Sequence, residues 1–179
     1  MNRWMLVGLA ALMLAFAGCG GDDDATSTSV GTAGTSPAAE IEAYFSEYKQ
    51  INAEALVRLD QLDVTYPQAF KGDVKQTQDS FREYVKIFDE TDDLYQGMDV
   101  PEEIRPIHDR LTANDEAGSA ISHERLSQLE LATEYSQVDA IFADDPEFNE
   151  FVAQGDASCV ELEDAAAEYG IEFDLPCER

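Results

Sequence analysis

Beyond residue 36, apolar positions recur every three or four residues, which is the spacing of one buried face on an α-helix. No run alternates apolar and polar residues in the manner of a half-buried strand. Four such stripes predict an all-α domain built as an antiparallel four-helix bundle. The stripe positions are Ile41, Tyr44, Phe45, Tyr48, Ile51, Ala55, Leu56, Leu59 and Leu62; Val74, Phe81, Tyr84, Val85, Phe88, Leu94 and Tyr95; Ile104, Ile107, Leu111, Ile121, Leu129, Ala132, Tyr135 and Val138; and Phe148, Phe151, Val152, Gly155, Cys159, Leu162, Ala166 and Tyr169.

Each stripe follows a helix-start signal, in which a capping side chain precedes a proline that fits the first helical turn. Three of these starts also carry Glu or Gln three residues after the cap, as in a capping box. The signals are Ser36-Pro37, Thr65-Tyr66-Pro67-Gln68, Asp99-Val100-Pro101-Glu102 and Asp144-Asp145-Pro146-Glu147.

Several residues inside the segments predict interruptions. Asp73 and Gln76 offer a second start in the second segment. Pro106 is expected to kink or restart the third helix, and residues 114–118 weaken the third stripe enough to allow a break. Gly97 and Gly170 are expected to end the second and fourth helices.

The first 18 residues have the pattern of an export signal. A single positive charge, Arg3, precedes residues 4–18, which carry no charge and are too few for a membrane-spanning helix. The following Phe16-Ala17-Gly18-Cys19 resembles the lipobox of bacterial-type lipoproteins, although Phe16 stands where that family usually has Leu. The resemblance implies that residues 1–18 are removed and that Cys19 carries lipid at the mature N-terminus. An ordinary secretory signal with an incidental cysteine is the alternative.

Residues 19–36 predict a flexible tether, because they are Gly, Ser, Thr and Asp with little to bury. The sequence thus divides into a signal over 1–18, a lipidated acidic tether over 19–36 and a helical domain over 37–179. This arrangement predicts a protein on the extracytoplasmic face of a cell membrane, with the lipid on Cys19 as its membrane contact.

The three cysteines support the same compartment. If Cys19 is lipidated, Cys159 and Cys177 remain as an even pair, and a disulfide between them would staple the C-terminal tail to the last helix. Metal thiolates or a redox pair are the competing interpretations. Neither cysteine lies in a C-x-x-C motif or near a histidine, so the disulfide is favoured.

The charge balance is strongly acidic, with 38 Asp and Glu against 11 Lys and Arg and a formal charge of −27. Such a chain repels nucleic acid and anionic lipid headgroups and attracts cations and basic surfaces. Adaptation to salt and ligand binding both remain open as the reason. Among the acidic runs, Asp144, Asp145, Glu147 and Glu150 are the best of weak metal candidates, because they span a loop and a helix start. None of the runs has EF-hand spacing.

Catalytic motifs are missing from the sequence. His108 and His123 lack the Glu-x-x-His pattern of di-metal bundles, and no nucleophile elbow, phosphate loop or dinucleotide fingerprint is present. His108, beside an apolar stripe, is expected to be a hydrogen-bonded, partly buried histidine rather than a ligand or base. The tyrosines at helical spacing are expected to pack in the core.

The sequence therefore favours a non-enzymatic binding or scaffolding module of the cell envelope, without a cofactor, whose partner is another envelope protein or a cation. Binding of cations or basic ligands by the acidic surface is the alternative function. A weaker alternative is a hydrolase with paired carboxylates, which would need a deep cleft holding two carboxyl groups with perturbed titration.

Overall fold

A computed structural model describes residues 36–143, 146–173 and 175, and every regular element in these residues is a helix. The all-α prediction is confirmed. The helices are α1 (Pro37–Thr65), α2 (Val74–Gln96), α3 (Arg105–Glu130), α4 (Tyr135–Ile141) and α5 (Pro146–Glu168).

Two of the predicted helix starts are confirmed by their caps. Ser36 accepts a hydrogen bond from the backbone N–H of Ala39 at the start of α1, with Pro37 in the first turn. Asp73 accepts from the N–H of Gln76 at the start of α2, and the Gln76 amide also donates to the Asp73 carboxylate. Both caps satisfy backbone donors that the first turn leaves without a partner.

Two other signals lie in turns rather than at helix starts. After Thr65 the chain forms turns until Gly72, and residues 101–104 form a turn before α3 begins at Arg105. Pro106 therefore lies in the first turn of α3, where it is tolerated, and produces no kink. At the fourth signal, α5 begins at Pro146, whereas Asp144 and Asp145 lie outside the described residues.

The predicted break near residue 115 is wrong, because α3 runs unbroken through it. Gly118 instead makes room for α5, since a Cβ there would lie 2.5 Å from the ring of Phe151. The actual break follows Glu130. The short α4 then begins with a capping box between Glu134 and Gln137, so the third stripe is two helices.

The chain reverses after α5 and returns to the core. Gly170, with φ of +71°, allows the reversal, as expected for a helix C-cap. Phe173 then packs against Phe45, with ring centroids 4.8 Å apart. The backbone N–H of Leu175 donates to the Glu163 carboxylate at 2.6 Å. The described part of the tail thus lies along α5.

Neighbouring helices pack in a chain of contacts: α1 on α2, α2 on α3, and α3 on both α4 and α5. Three hydrophobic clusters fill the interior. The largest joins α1, α2, α3, α5 and the tail around Tyr44, Phe45 and Leu162, and the second joins α2, α3 and α4 around Phe81 and Leu129. The third contains Ala55 of α1 and Ile87 of α2. The largest cluster packs the tail against the helices.

Most predicted stripe positions are buried or half-buried, but two are exposed. Leu94 and Tyr169 are 53% and 43% exposed, so these assignments are wrong. Ile87 takes a buried place in α2 that the stripe did not include. Within the described residues, none of the helices combines the length and apolar character needed to cross a membrane.

Candidate functional site

Two carboxylates from different helices line one small cavity inside the domain. Asp92 of α2 and Asp115 of α3 are both partly buried. The cavity, called the interior cavity below, has a volume of about 30 Å³, which is room for roughly one or two water molecules. Its full lining is Tyr48, Asn52, Phe88, Thr91, Asp92, Tyr95, Leu111 and Asp115.

The pKa of Asp115 is raised to about 7. Burial is the larger cause, and the nearby charge of Asp92 is the smaller one. Burial also raises the pKa of Asp92, against a hydrogen bond from Gln96 that lowers it. Both shifts have the same main origin, because removing a carboxyl group from water disfavours its charged form. The folded protein therefore favours the protonated form of each of these two carboxyl groups more than water does.

One oxygen of this pair has no protein partner. Oδ2 of Asp92 accepts from Gln96 at 2.9 Å, while Oδ1 is buried and receives no hydrogen bond from the described residues. A buried acceptor without a partner costs roughly 1–3 kcal/mol.

Aromatic rings also line the interior cavity. Tyr48 of α1 and Tyr95 of α2 stack with centroids 4.5 Å apart, and the Tyr95 hydroxyl donates to Asn52 Oδ1 at 2.9 Å. Burial raises the pKa of both tyrosines, and the Asp115 charge adds to this. Both therefore stay neutral. The prediction that these tyrosines pack in the core is confirmed, and they also line a polar cavity.

A second, larger cleft lies on the surface beside the turn between α2 and α3. Its volume is about 420 Å³, which falls within the usual range for small-ligand pockets. This surface cleft is lined by Gln96, Met98, Val100, Arg105, His108, Asp109, Thr112, Ala113 and Glu116.

His108 lies in the wall of the surface cleft and is hydrogen bonded behind it. Its Nδ1 lies 3.2 Å from the Tyr44 hydroxyl, and the ring is almost fully buried. Burial lowers the pKa of His108, against the Asp109 charge, so the ring is neutral at pH 7. The prediction of a hydrogen-bonded, buried histidine is confirmed. Arg105 is held by the Val100 carbonyl, to which it donates at 2.7 Å.

His123 belongs to a surface group that links α2 and α3. Asp89 accepts from Ser119 at 2.7 Å and lies 2.9 Å from Nε2 of His123. The carboxylate thus lies between the serine and the histidine, and no hydrogen bond among the described residues joins Ser119 to His123. This order differs from a catalytic triad, in which the histidine contacts the nucleophile.

Most of the site residues predicted from the sequence lie outside the part of the chain that the structure describes, and none of them lines either cavity. Cys19, Cys177, Asp144 and Asp145 lie outside the described residues, as does the side chain of Glu147. The remaining two are described: Glu150 is exposed and accepts from Gln154 at 3.2 Å, and Cys159 is buried in α5. Over the described ranges, no three His, Cys, Asp or Glu side chains come together as a metal site.

The sequence contains a signal for the interior pair. Asp115 follows Leu111 by four residues, so it lies on the buried face of α3 rather than at a break. Asp92 precedes the buried Tyr95 by three residues, so the two lie on the same side of α2. A charged residue in phase with an apolar stripe can therefore indicate a buried carboxylate.

Comparison with protein-family models, with curated proteins and with solved structures found no match for this chain.

Proposed function

We propose that this protein is a lipid-anchored, extracytoplasmic binding module of the cell envelope, which acts without catalysis and takes its ligand in the surface cleft. The observation that carries the proposal is the cleft itself, at about 420 Å³. Buried Met98 and Val100 give it an apolar base, and polar side chains from α3 surround the opening. This mixture is typical of sites for small molecules or for single side chains of a partner.

The anchor is proposed from the lipobox-like residues Phe16 to Cys19. Lipid on Cys19 would hold the domain at the outer face of a membrane, at the end of an acidic tether. Two or more acyl chains give stable anchoring, because each buried methylene contributes about 0.8 kcal/mol. The strong negative charge supports a domain that stands away from anionic headgroups and makes nucleic acid an unsuitable partner.

We propose an antiparallel four-helix bundle formed by α1, α2, α3 and α5, with the tail stapled by a disulfide between Cys159 and Cys177. The hydrogen bond from Leu175 to Glu163 supports the staple. Cys159 precedes Glu163 by four residues, so it lies one turn earlier on the same face of α5, about 6 Å along the axis. Two more residues of extended tail cover a similar distance.

A positively charged ligand is favoured by the walls of the surface cleft. Asp109 and Glu116 contribute two exposed carboxylates there. Arg105 contributes the one described guanidinium, and it is already bound to a carbonyl. His108 is neutral at pH 7, so the local charge is negative, in keeping with the whole chain. The proposed ligand is therefore a small organic cation or the basic side chain of an envelope protein.

A hydrolase with paired carboxylates remains the weaker proposal. Asp92 and Asp115 have the raised pKa values that such chemistry uses. However, the interior cavity of about 30 Å³ admits little more than water and leaves no room for a substrate. The pair therefore supports binding of a small ion better than it supports hydrolysis.

Calorimetric titration of the full-length protein in detergent with spermidine tests the cationic-ligand proposal. We expect saturable binding that weakens several-fold in Glu116→Gln and Asp109→Asn. Glu102→Gln serves as the matched control, because Glu102 is exposed and does not line the cleft. Equal weakening in all three variants would mean that only the total charge matters, and would contradict a ligand in the cleft.

A further inference from the structure

His108 presents one ring nitrogen to the surface cleft. The residue is only 5% exposed, and its Nδ1 lies 3.2 Å from the Tyr44 hydroxyl. Its Nε2 has no hydrogen-bond partner among the described residues, yet it is not one of the fully buried atoms that lack a partner. Nε2 therefore reaches solvent, and the space that His108 lines is the surface cleft. One nitrogen of a nearly buried ring is thus available to a molecule in the cleft.

The Tyr44 hydroxyl decides whether this nitrogen donates or accepts. Tyr44 is buried, and among the described residues the one hydrogen-bond partner of its hydroxyl is Nδ1 of His108. A buried O–H group without an acceptor is costly, so the hydroxyl donates to Nδ1. Burial lowers the pKa of His108, so the ring is neutral at pH 7. A neutral imidazole that accepts at Nδ1 carries its proton on Nε2, so His108 offers an N–H donor to the cleft.

A second donor lies one turn away on the same face of α3. Arg105 precedes His108 by three residues, so the two side chains are neighbours on the helix, and both line the cleft. Nη2 of Arg105 donates to the Val100 carbonyl at 2.7 Å. A guanidinium has further N–H groups, so donors remain for a ligand. Two neighbouring donors, one of them charged, suit an acceptor that carries negative charge, such as a carboxylate.

We propose that the ligand of the surface cleft is a small zwitterion of the amino-acid type, whose carboxylate accepts hydrogen bonds from His108 and Arg105. Its ammonium group lies against the exposed carboxylates of Asp109 or Glu116. This inference rests on the proposed function and adds the acceptor that the ligand must carry. A ligand with net negative charge is disfavoured, because the whole chain is strongly acidic. The carboxylate is therefore favoured in the cleft when the same molecule also carries a positive group.

The tautomer of His108 can be measured without any ligand. The chain contains two histidines, so long-range proton–nitrogen correlation in the labelled full-length protein gives two sets of ring signals. His123→Gln leaves the set of His108 alone. At pH 8 we expect a protonated Nε2 and an unprotonated Nδ1 in His108. A proton on Nδ1 would make Nε2 an acceptor and would overturn the inference.

Lysine and cadaverine form a matched pair of probes, because cadaverine is the same diamine without the carboxylate. Attraction to the acidic surface alone favours cadaverine, which carries the larger net positive charge at neutral pH. In chemical-shift titrations of the full-length protein in micelles, we expect lysine to bind about tenfold more tightly, the gain of one charge-assisted hydrogen bond. Equal or tighter binding of cadaverine would overturn the inference.

Two variants locate the effect at His108. His108→Phe keeps a ring but removes both ring nitrogens, so most of the advantage of lysine over cadaverine should disappear. His123→Phe should keep the advantage, because His123 contacts Asp89 and does not line the cleft. An undiminished advantage in His108→Phe would overturn the assignment. If His108→Phe does not fold, the tautomer and the preference of the native protein still decide the matter.

Spermidine titrated into the same samples separates this inference from the proposed function. Saturable binding of spermidine in the cleft without a preference for lysine over cadaverine would leave the proposed function standing and would refute the zwitterion. Absence of saturable binding by all three amines would refute both. Saturable binding of all three, with lysine preferred over cadaverine, is the result that the inference predicts.

Discussion

Replacing Asp115 with Asn should change how the stability of the domain depends on pH. Asp115 is partly buried on α3 and shares the interior cavity with Asp92 of α2. Its other titratable neighbours are the neutral Tyr48, Tyr84 and Tyr95, whose pKa values its charge helps to raise. The substitution keeps the shape of the side chain and removes only the ionisable group.

The size and sign of the effect follow from the pKa of Asp115, which is 3.8 in the reference state and about 7 in the folded protein. Between these values the folded state binds a proton that the unfolded state has lost, so stability falls as pH rises from about 4 to about 7. At about 1.4 kcal/mol per pKa unit, the full loss is on the order of 4 kcal/mol. Asp115→Asn avoids this loss.

Urea unfolding at pH 5, 6, 7 and 8, with chelator present, measures the effect. We expect Asp115→Asn to be more stable than the native protein by about 2–4 kcal/mol at pH 8, and the difference to shrink steadily towards pH 5. Asp93→Asn, which removes the same charge from the surface, should change stability little at any pH. Parallel pH profiles for the native protein and Asp115→Asn would refute the reasoning.

Three further substitutions test other parts of the account. Gly118→Ala should destabilise the protein by about 1–2 kcal/mol in urea unfolding, because the clash with Phe151 outweighs the gain in helix propensity; a gain in stability would contradict the close approach. Phe173→Ala should cost about 3 kcal/mol or more, because the ring packs on Phe45 in the main core; a cost below about 1 kcal/mol would mean that the tail is not docked. Cys19→Ala should abolish incorporation of a labelled fatty acid in a bacterial host, and labelling that persists would rule out the proposed anchor.

The helices could be predicted from the sequence because their apolar residues recur at helical spacing. Ile41, Tyr44 and Phe45 are all buried as expected. The helix starts were harder, because Thr65 and Asp99 carry the residues of a capping box yet lie where the chain turns. The pattern of cap and proline favours a turn as much as a helix start, and only the surrounding packing decides between them.

The candidate sites depend on contacts that the sequence does not contain. Asp92 and Asp115 are 23 positions apart and meet only because α2 and α3 run side by side. Similarly, Gly118 weakens the stripe of α3 in the sequence, and only the fold shows that Phe151 of α5 packs against it. The sequence shows that Asp115 is in phase with the buried residues of α3, but it does not show that Asp92 of α2 lies beside it.

The most direct test of the central claim is a map of amide chemical-shift changes when spermidine is added to the isotopically labelled full-length protein in micelles. Binding in the surface cleft predicts saturable shifts concentrated over residues 96–116. Small, non-saturating shifts spread over the acidic surface would contradict the claim and would leave the negative charge without a specific ligand in this cleft.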